Sequence, residues 1–156
     1  MKNNQASFRL NRSVAPILFS LLIACSVFTP SAAQKSAPDA VARLKAGNAR
    51  YFSGNLRQRN HKADRKATAD GQHPYAIVLA CADSRVPPEI LFDESLGKLF
   101  VVRVAGNVVD PVVLGSIEYA AEHVHVETLL ILGHESCGAV GATLEGGKVP
   151  PNIEAL

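Results

Sequence analysis

A chain of 156 residues with 47% hydrophobic but only 6% aromatic content can bury one core and is too short for two sizeable domains. Its 16 Lys and Arg face 14 Asp and Glu, and the first 33 residues hold three of the basic groups and no acid, so residues 34–156 are close to neutral. That balance argues against a nucleic-acid partner, and no internal repeat or low-complexity block appears.

The amino terminus reads as an address. Lys2, Arg9 and Arg12 precede an apolar stretch from Val14 to Phe28, and the small residues Ser31, Ala32 and Ala33 follow. This is the layout of a secretory signal peptide over residues 1–33, and its apolar stretch is too short for a good membrane span. The alternative is a lipoprotein signal, in which Leu22-Ile23-Ala24-Cys25 makes Cys25 a lipidated mature terminus held at a membrane. Both place the protein outside the cytoplasm, the cleaved form in the periplasm. In an oxidising compartment the two cysteines left after cleavage, Cys81 and Cys137, are by default a disulfide.

Residues 34–57 open with Ser36 and Asp39 in a capping pattern, and Val41, Leu44, Asn48 and Tyr51/Phe52 follow at helical spacing up to a stop at Gly54. This is an amphipathic first helix. Residues 58–73 lack apolar periodicity and read as a loop with a helical turn at most. "YAIVLAC" (75–81) is a first strand, "PPEILF" a short helix with prolines in its first turn, and "KLFVVRV" (98–104) a second strand. "DPVVLGSIEYAAEHVH" (110–125) has Pro just inside its start and is a helix; "VETLLILG" (126–133) is a third strand; "CGAVGATLEGG" (137–147) begins another helix that two glycines close. Apolar strands alternating with helices predict an α/β fold: three layers, a mainly parallel sheet flanked by helices, and an N-terminal helical arm. Ligands on such sheets gather at the carboxyl ends of the strands.

The chemistry-bearing residues sit at those ends. Cys81 closes the first strand, and His134 and Cys137 follow the third in "GHESCGAV". The H-x-x-C spacing lets a turn into a helix aim imidazole and thiolate at one point, and Cys81 can meet them if the two strands are neighbours. Two thiolates and one imidazole suit a Zn2+ ion with its fourth position open to water, which makes hydroxide available near neutral pH. Asp83 can then orient that hydroxide, and Arg85 can hold Asp83 by a bidentate pair. A Cys81–Cys137 disulfide and a closed structural zinc site are the rival readings. His61, His73, His123 and His125 belong on solvated loops or helix ends.

At these residues the sequence resembles the β-class carbonic anhydrases, from about residue 40 to 156. Its two signatures are "CADSR" and "HESCGA", with 53 residues from Cys81 to His134; "VVRVAGNVV" and "GSIEYA" between them are also similar to family segments. The resemblance implies one zinc per chain on Cys81, His134 and Cys137, with Asp83 and Arg85 as the catalytic dyad. It also implies a small substrate pocket touched by Gln72, Phe100, Tyr119 and the backbone of Gly138. The activity implied is the reversible hydration of carbon dioxide to bicarbonate, zinc-bound hydroxide being the nucleophile. Two thiolates make the site a weaker acid than three histidines would, so activity should rise with pH. Relatives on this fold that hydrolyse carbon disulfide or carbonyl sulfide give an alternative activity, and a non-catalytic remnant is a third reading. The family's pocket lies near a subunit interface, which implies a homodimer or homotetramer. Family members continue through further helices and at least one more strand beyond the second signature, whereas this sequence stops at "KVPPNIEAL". The expectation is therefore a domain over 34–156 that is incomplete at its C-terminus, with an apolar sheet edge left bare and little activity when expressed alone.

Overall fold

The computed structural model describes residues 37–156; the signal peptide, the Cys25 alternative and the Ser36 cap lie outside these residues. Ten short elements follow one another. They are α1 (Ala37–Phe52), α2 (His61–Ala67), β1 (Ala76–Cys81), α3 (Pro88–Leu91), β2 (Leu99–Val104), a 3-10 turn (Ala105–Asn107), α4 (Pro111–Glu122), β3 (Leu129–Leu132), α5 (Gly138–Glu145) and α6 (Pro151–Glu154). No helix among the described residues is long and apolar enough to cross a membrane.

The strands form one parallel sheet in the order β2-β1-β3. Ala76 to Cys81 pair residue by residue with Leu99 to Val104, and Ile77 to Ala80 with Leu129 to Leu132. The central strand is buried along its whole length, which is why it reads as an unbroken apolar run. Side chains alternate between the two faces. Ala76, Val78 and Ala80 meet Ala40 and Leu44 of α1, together with Tyr75, Phe92 and Leu99. Ile77 meets Ala120 of α4 and Val126 on the other face, with Phe100 and Ile117 packed around them. The three layers are thus α1 with α3, the sheet, and α4.

Local chemistry sets the element ends. Pro111 opens α4 behind Asp110, whose side chain accepts from the Val113 N–H at 2.7 Å. Gly54 takes φ +73 just past α1, the left-handed turn expected of a stop. α1 lies so close to the turn after α3 that a Cβ on Gly47 would fall 1.8 Å from the Phe92 carbonyl oxygen. The sheet is not covered evenly. Leu129 and Ile131 on β3 remain 46% and 61% exposed on the face that α4 shields over β1.

Candidate metal centre

The carboxyl ends of β1 and β3 lie side by side because the two strands pair directly. Cys81 is the last residue of β1 and is 3% exposed. Beyond β3 the chain turns through Gly133 and His134, passes Ser136 at φ +55, and enters α5 with Cys137 as its N-cap. The turn and the neighbouring strand end bring one ligand atom from each of Cys81, His134 and Cys137 within 4.8 Å of one another. It is the one such group of three or more among the described residues, and His61, His73, His123 and His125 all stay on exposed positions. The two thiols are free, with 3.9 Å between their sulfurs, so the default disulfide is not formed.

The trio fits a metal. Nδ1 of His134 lies 2.9 Å from the Glu135 carbonyl oxygen, which can only accept, so Nδ1 carries the proton and Nε2 keeps its lone pair. That Nε2 is buried and has no hydrogen-bond partner. An orphaned buried nitrogen beside two thiols is the donor set of a zinc site, and three protein ligands leave one position free.

The surroundings prepare the sulfur of Cys81. Backbone N–H groups of Asp83 and Gly106 point at its Sγ from 3.4 and 3.3 Å. Burial pushes the thiol up, but hydrogen bonds to the sulfur, the Asp83 N–H foremost, outweigh it and bring it down to about 7. Gly106 can aim its N–H there because it sits at φ +67, next to Asn107 at φ +43, in the 3-10 turn after β2.

Asp83 faces the same point, its Oδ2 3.9 Å from His134 Nε2. Arg85 grips it bidentately, Nε to Oδ1 at 2.9 Å and Nη2 to Oδ2 at 2.7 Å, and adds its own backbone N–H at 2.9 Å. The Arg85 guanidinium and backbone hold the Asp83 carboxyl well below the usual carboxylate range. Arg85 also reaches the Ser136 carbonyl at 3.4 Å, tying the loop after β1 to the loop that carries His134 and Cys137. Cys81, Asp83 and Arg85 thus stand together at the end of β1, with the Asp83–Arg85 pair formed.

The residues assigned to the substrate pocket divide. Gly138 opens α5 directly after Cys137 and so lies next to the trio. Phe100 pairs with Ile77, four residues before the Cys81–Val104 pair, which is on the order of 13 Å along the strand. Tyr119 lies against Phe100, with 6.3 Å between ring centres. Gln72 is exposed in the loop before β1, beyond the opposite end of a strand that itself spans roughly 17 Å. Within one chain these three do not reach the trio. Sequence reasoning gave Arg103 and Gly106 no role of their own, although both lie in "VVRVAGNVV", a segment singled out for its resemblance to the family.

Residues 76–156 match the family model described as carbonic anhydrase. The chain is 48% identical over 122 residues to carbonic anhydrase 2 of Mycobacterium tuberculosis, a match that covers 72% of this chain and 59% of the relative. Among solved structures it resembles a β-carbonic anhydrase of the fungal pathogen Aspergillus fumigatus, at 30% identity and a TM-score of 0.56, covering 76% of this chain and 55% of that one. A tetrameric β-carbonic anhydrase of the filamentous ascomycete Sordaria macrospora gives a similar match, at 26% identity and a TM-score of 0.56, covering 76% of this chain and 60% of that one. The chain therefore spans between half and three-fifths of the length of these relatives.

Proposed function

Because the chain belongs to the β-class carbonic anhydrases, we propose that it catalyses the reversible hydration of carbon dioxide to bicarbonate and a proton, using one zinc ion held by Cys81, His134 and Cys137. The observation that carries this reading is the unpartnered Nε2 of His134, facing two free thiols beside a carboxylate that Arg85 has already immobilised. When bound there, zinc supplies the Lewis acidity that makes hydroxide available near neutral pH. The protein's own groups do the rest. Asp83, kept ionised by Arg85, can accept only, so it would take a hydrogen bond from the nucleophilic hydroxyl and orient it. Arg85 keeps Asp83 from swinging away by holding both carboxylate oxygens. The relatives named above are carbonic anhydrases, which favours hydration over hydrolysis of carbon disulfide or carbonyl sulfide.

The same reading includes a homodimer or homotetramer. Gln72, Phe100 and Tyr119 sit at the amino ends of the strands, whereas the metal ligands sit at the carboxyl ends, so a second copy must present its amino ends for those three to line the pocket. It also includes export to the periplasm, supported by Lys2, Arg9 and Arg12 ahead of the Val14–Phe28 stretch; fractionation of cells producing the full chain tests it. The activity is tested on purified protein by metal content, free-thiol titration and stopped-flow hydration of carbon dioxide. One zinc per chain, two free thiols and measurable hydration are expected. A disulfide without metal removes the enzyme reading, and zinc without hydration keeps the site and removes the activity.

A further inference from the structure

Arg103 is the one charged residue of β2, and its side chain does not simply extend into solvent. Its Nε donates to the carbonyl oxygen of Cys81 at 2.9 Å, and its Nη2 to the carbonyl oxygen of Asp83 at 2.5 Å. These carbonyls belong to a metal ligand and to the residue that orients the nucleophile. The pairing of β1 with β3 ends at Ala80, so the backbone from Cys81 onward has passed the last rung on that side. On the other side, the Ala82 N–H still reaches the Val104 oxygen at 3.0 Å. Between that bond and the two from Arg103, three successive residues of the site are anchored to β2.

The side on which Arg103 approaches decides its role. Arg103 is in register with Ala80 and Cys81 with Val104, and paired residues share a face, so Arg103 leaves the sheet on the α1 side while Cys81 projects to the α4 side. The guanidinium reaches the strand end from behind and does not line the space in which the ligand atoms converge. Three residues further on, the same segment turns at Gly106 and puts an N–H on the Cys81 sulfur. The end of β2 thus holds the metal-binding strand end from both faces.

We propose that Arg103 is a positioning residue, whose two-point grip on the Cys81 and Asp83 carbonyls sets the direction of the Cys81 sulfur and the Asp83 carboxylate relative to His134. A planar fork suits this, because Nε and Nη2 donate from two separate atoms in fixed directions, whereas a lysine ammonium would have to draw both carbonyls to a single nitrogen. The role builds on the zinc reading above, but the grip itself exists without metal.

The experiment compares the full chain with Arg103→Met, which keeps the apolar stem, and Arg103→Lys, which keeps the charge. Zinc affinity is read by competition with a chromophoric chelator, and amide hydrogen exchange is followed at Asp83 and Arg85 in the metal-free protein. Arg103→Met should weaken zinc binding by about 10- to 100-fold, the range for groups that orient ligands, and speed exchange at both amides, while amides within β1 stay protected. Arg103→Lys should recover part of each. Parent-like exchange at Asp83 and Arg85 in Arg103→Met overturns the proposal, and so does equal loosening along β1, which would mark a general loss of stability. If Arg103→Met fails to fold, Arg103→Lys decides on the same two criteria. A parent chain that takes up no zinc would sink the enzyme reading while the exchange data still judge the grip.

Discussion

A thiol must lose its proton before it binds a metal, and the two cysteines of this site are prepared for that differently. Cys81 is buried and receives two backbone N–H groups, whereas Cys137 caps a helix at a half-buried position. Neither substitution is conservative. Cys137→Ser puts a poorly acidic hydroxyl where a soft thiolate is needed, and it should remove most of the zinc and the hydration activity together; stoichiometric zinc in the Ser variant would sink the ligand assignment. Asp83→Ala tests a different atom. Asp83 is engaged by Arg85, so the variant should keep its zinc and lose about 10- to 100-fold in hydration rate, measured by stopped flow. A parent-like rate would make Asp83 structural. Cys81, Asp83, Arg85, His134 and Cys137 were all marked as candidates in the sequence, because their chemistry lies in the side-chain type and apolar runs announced the strand ends that carry them. Arg103 and Gly106 were not, since one acts on carbonyl oxygens and the other through its own N–H, and no pattern of side chains records where a backbone group will point. The default disulfide erred for a related reason. Counting cysteines says nothing of the imidazole that stands beside both sulfurs.

At the level of elements, periodicity located what had an apolar face to declare. β1 and β2 start one residue later than the runs that announced them, and α4 is shorter only at its ends. β3 is shorter than its run, 129–132 against 126–133, because Val126 packs into the core from the loop and Thr128 contributes a carbonyl to Ile77 just before the strand begins. α2 and α6 bury no residue, so no apolar spacing could mark them. Close approach was equally silent. Gly47 is buried where α1 crosses the turn after α3, and Asn48 beside it donates to the Leu91 carbonyl at 3.1 Å. A methyl group there meets backbone, which cannot rotate away. Gly47→Ala gains helix propensity of about 1 kcal/mol, yet it should be destabilising by about 1–3 kcal/mol net, because overpacking forces α1 off the sheet. Urea denaturation of the variant measures this, and an unchanged or higher midpoint would show that α1 can shift without loss.

The whole molecule is tied together by charges that the sequence placed in no particular order. Asp93 and Glu94 follow α3 and are 2% and 6% exposed, and the arginines that neutralise them come from α1 and the segment after it. Arg43 grips Glu94 with two bonds of 2.6 and 2.7 Å, and Tyr75 adds its hydroxyl at 3.0 Å. Arg50 and Arg59 each reach Asp93 at 2.5 Å, and the Arg57 backbone N–H adds a longer bond. Burial alone would raise both carboxyls, but the hydrogen bonds from Arg50 and Arg59 to Asp93, and from Arg43 to Glu94, prevail and lower them. A carboxyl depressed in the folded state gives stability that is fully present above its unfolded value, near about 4, and is lost as pH falls through the folded value. Thermal midpoints should therefore hold level from pH 7 to about 5 and fall steeply below about 4. Asp93→Asn separates this cluster from the other acids. It leaves Arg50 and Arg59 facing a neutral amide, so it should cost about 3 kcal/mol or more at pH 7, and the gap between variant and parent should narrow as acid protonates Asp93 in the parent. A gap that stays constant from pH 7 to pH 3 would mean that the ion pairs among α1, the segment behind it and the turn after α3 contribute nothing that depends on charge.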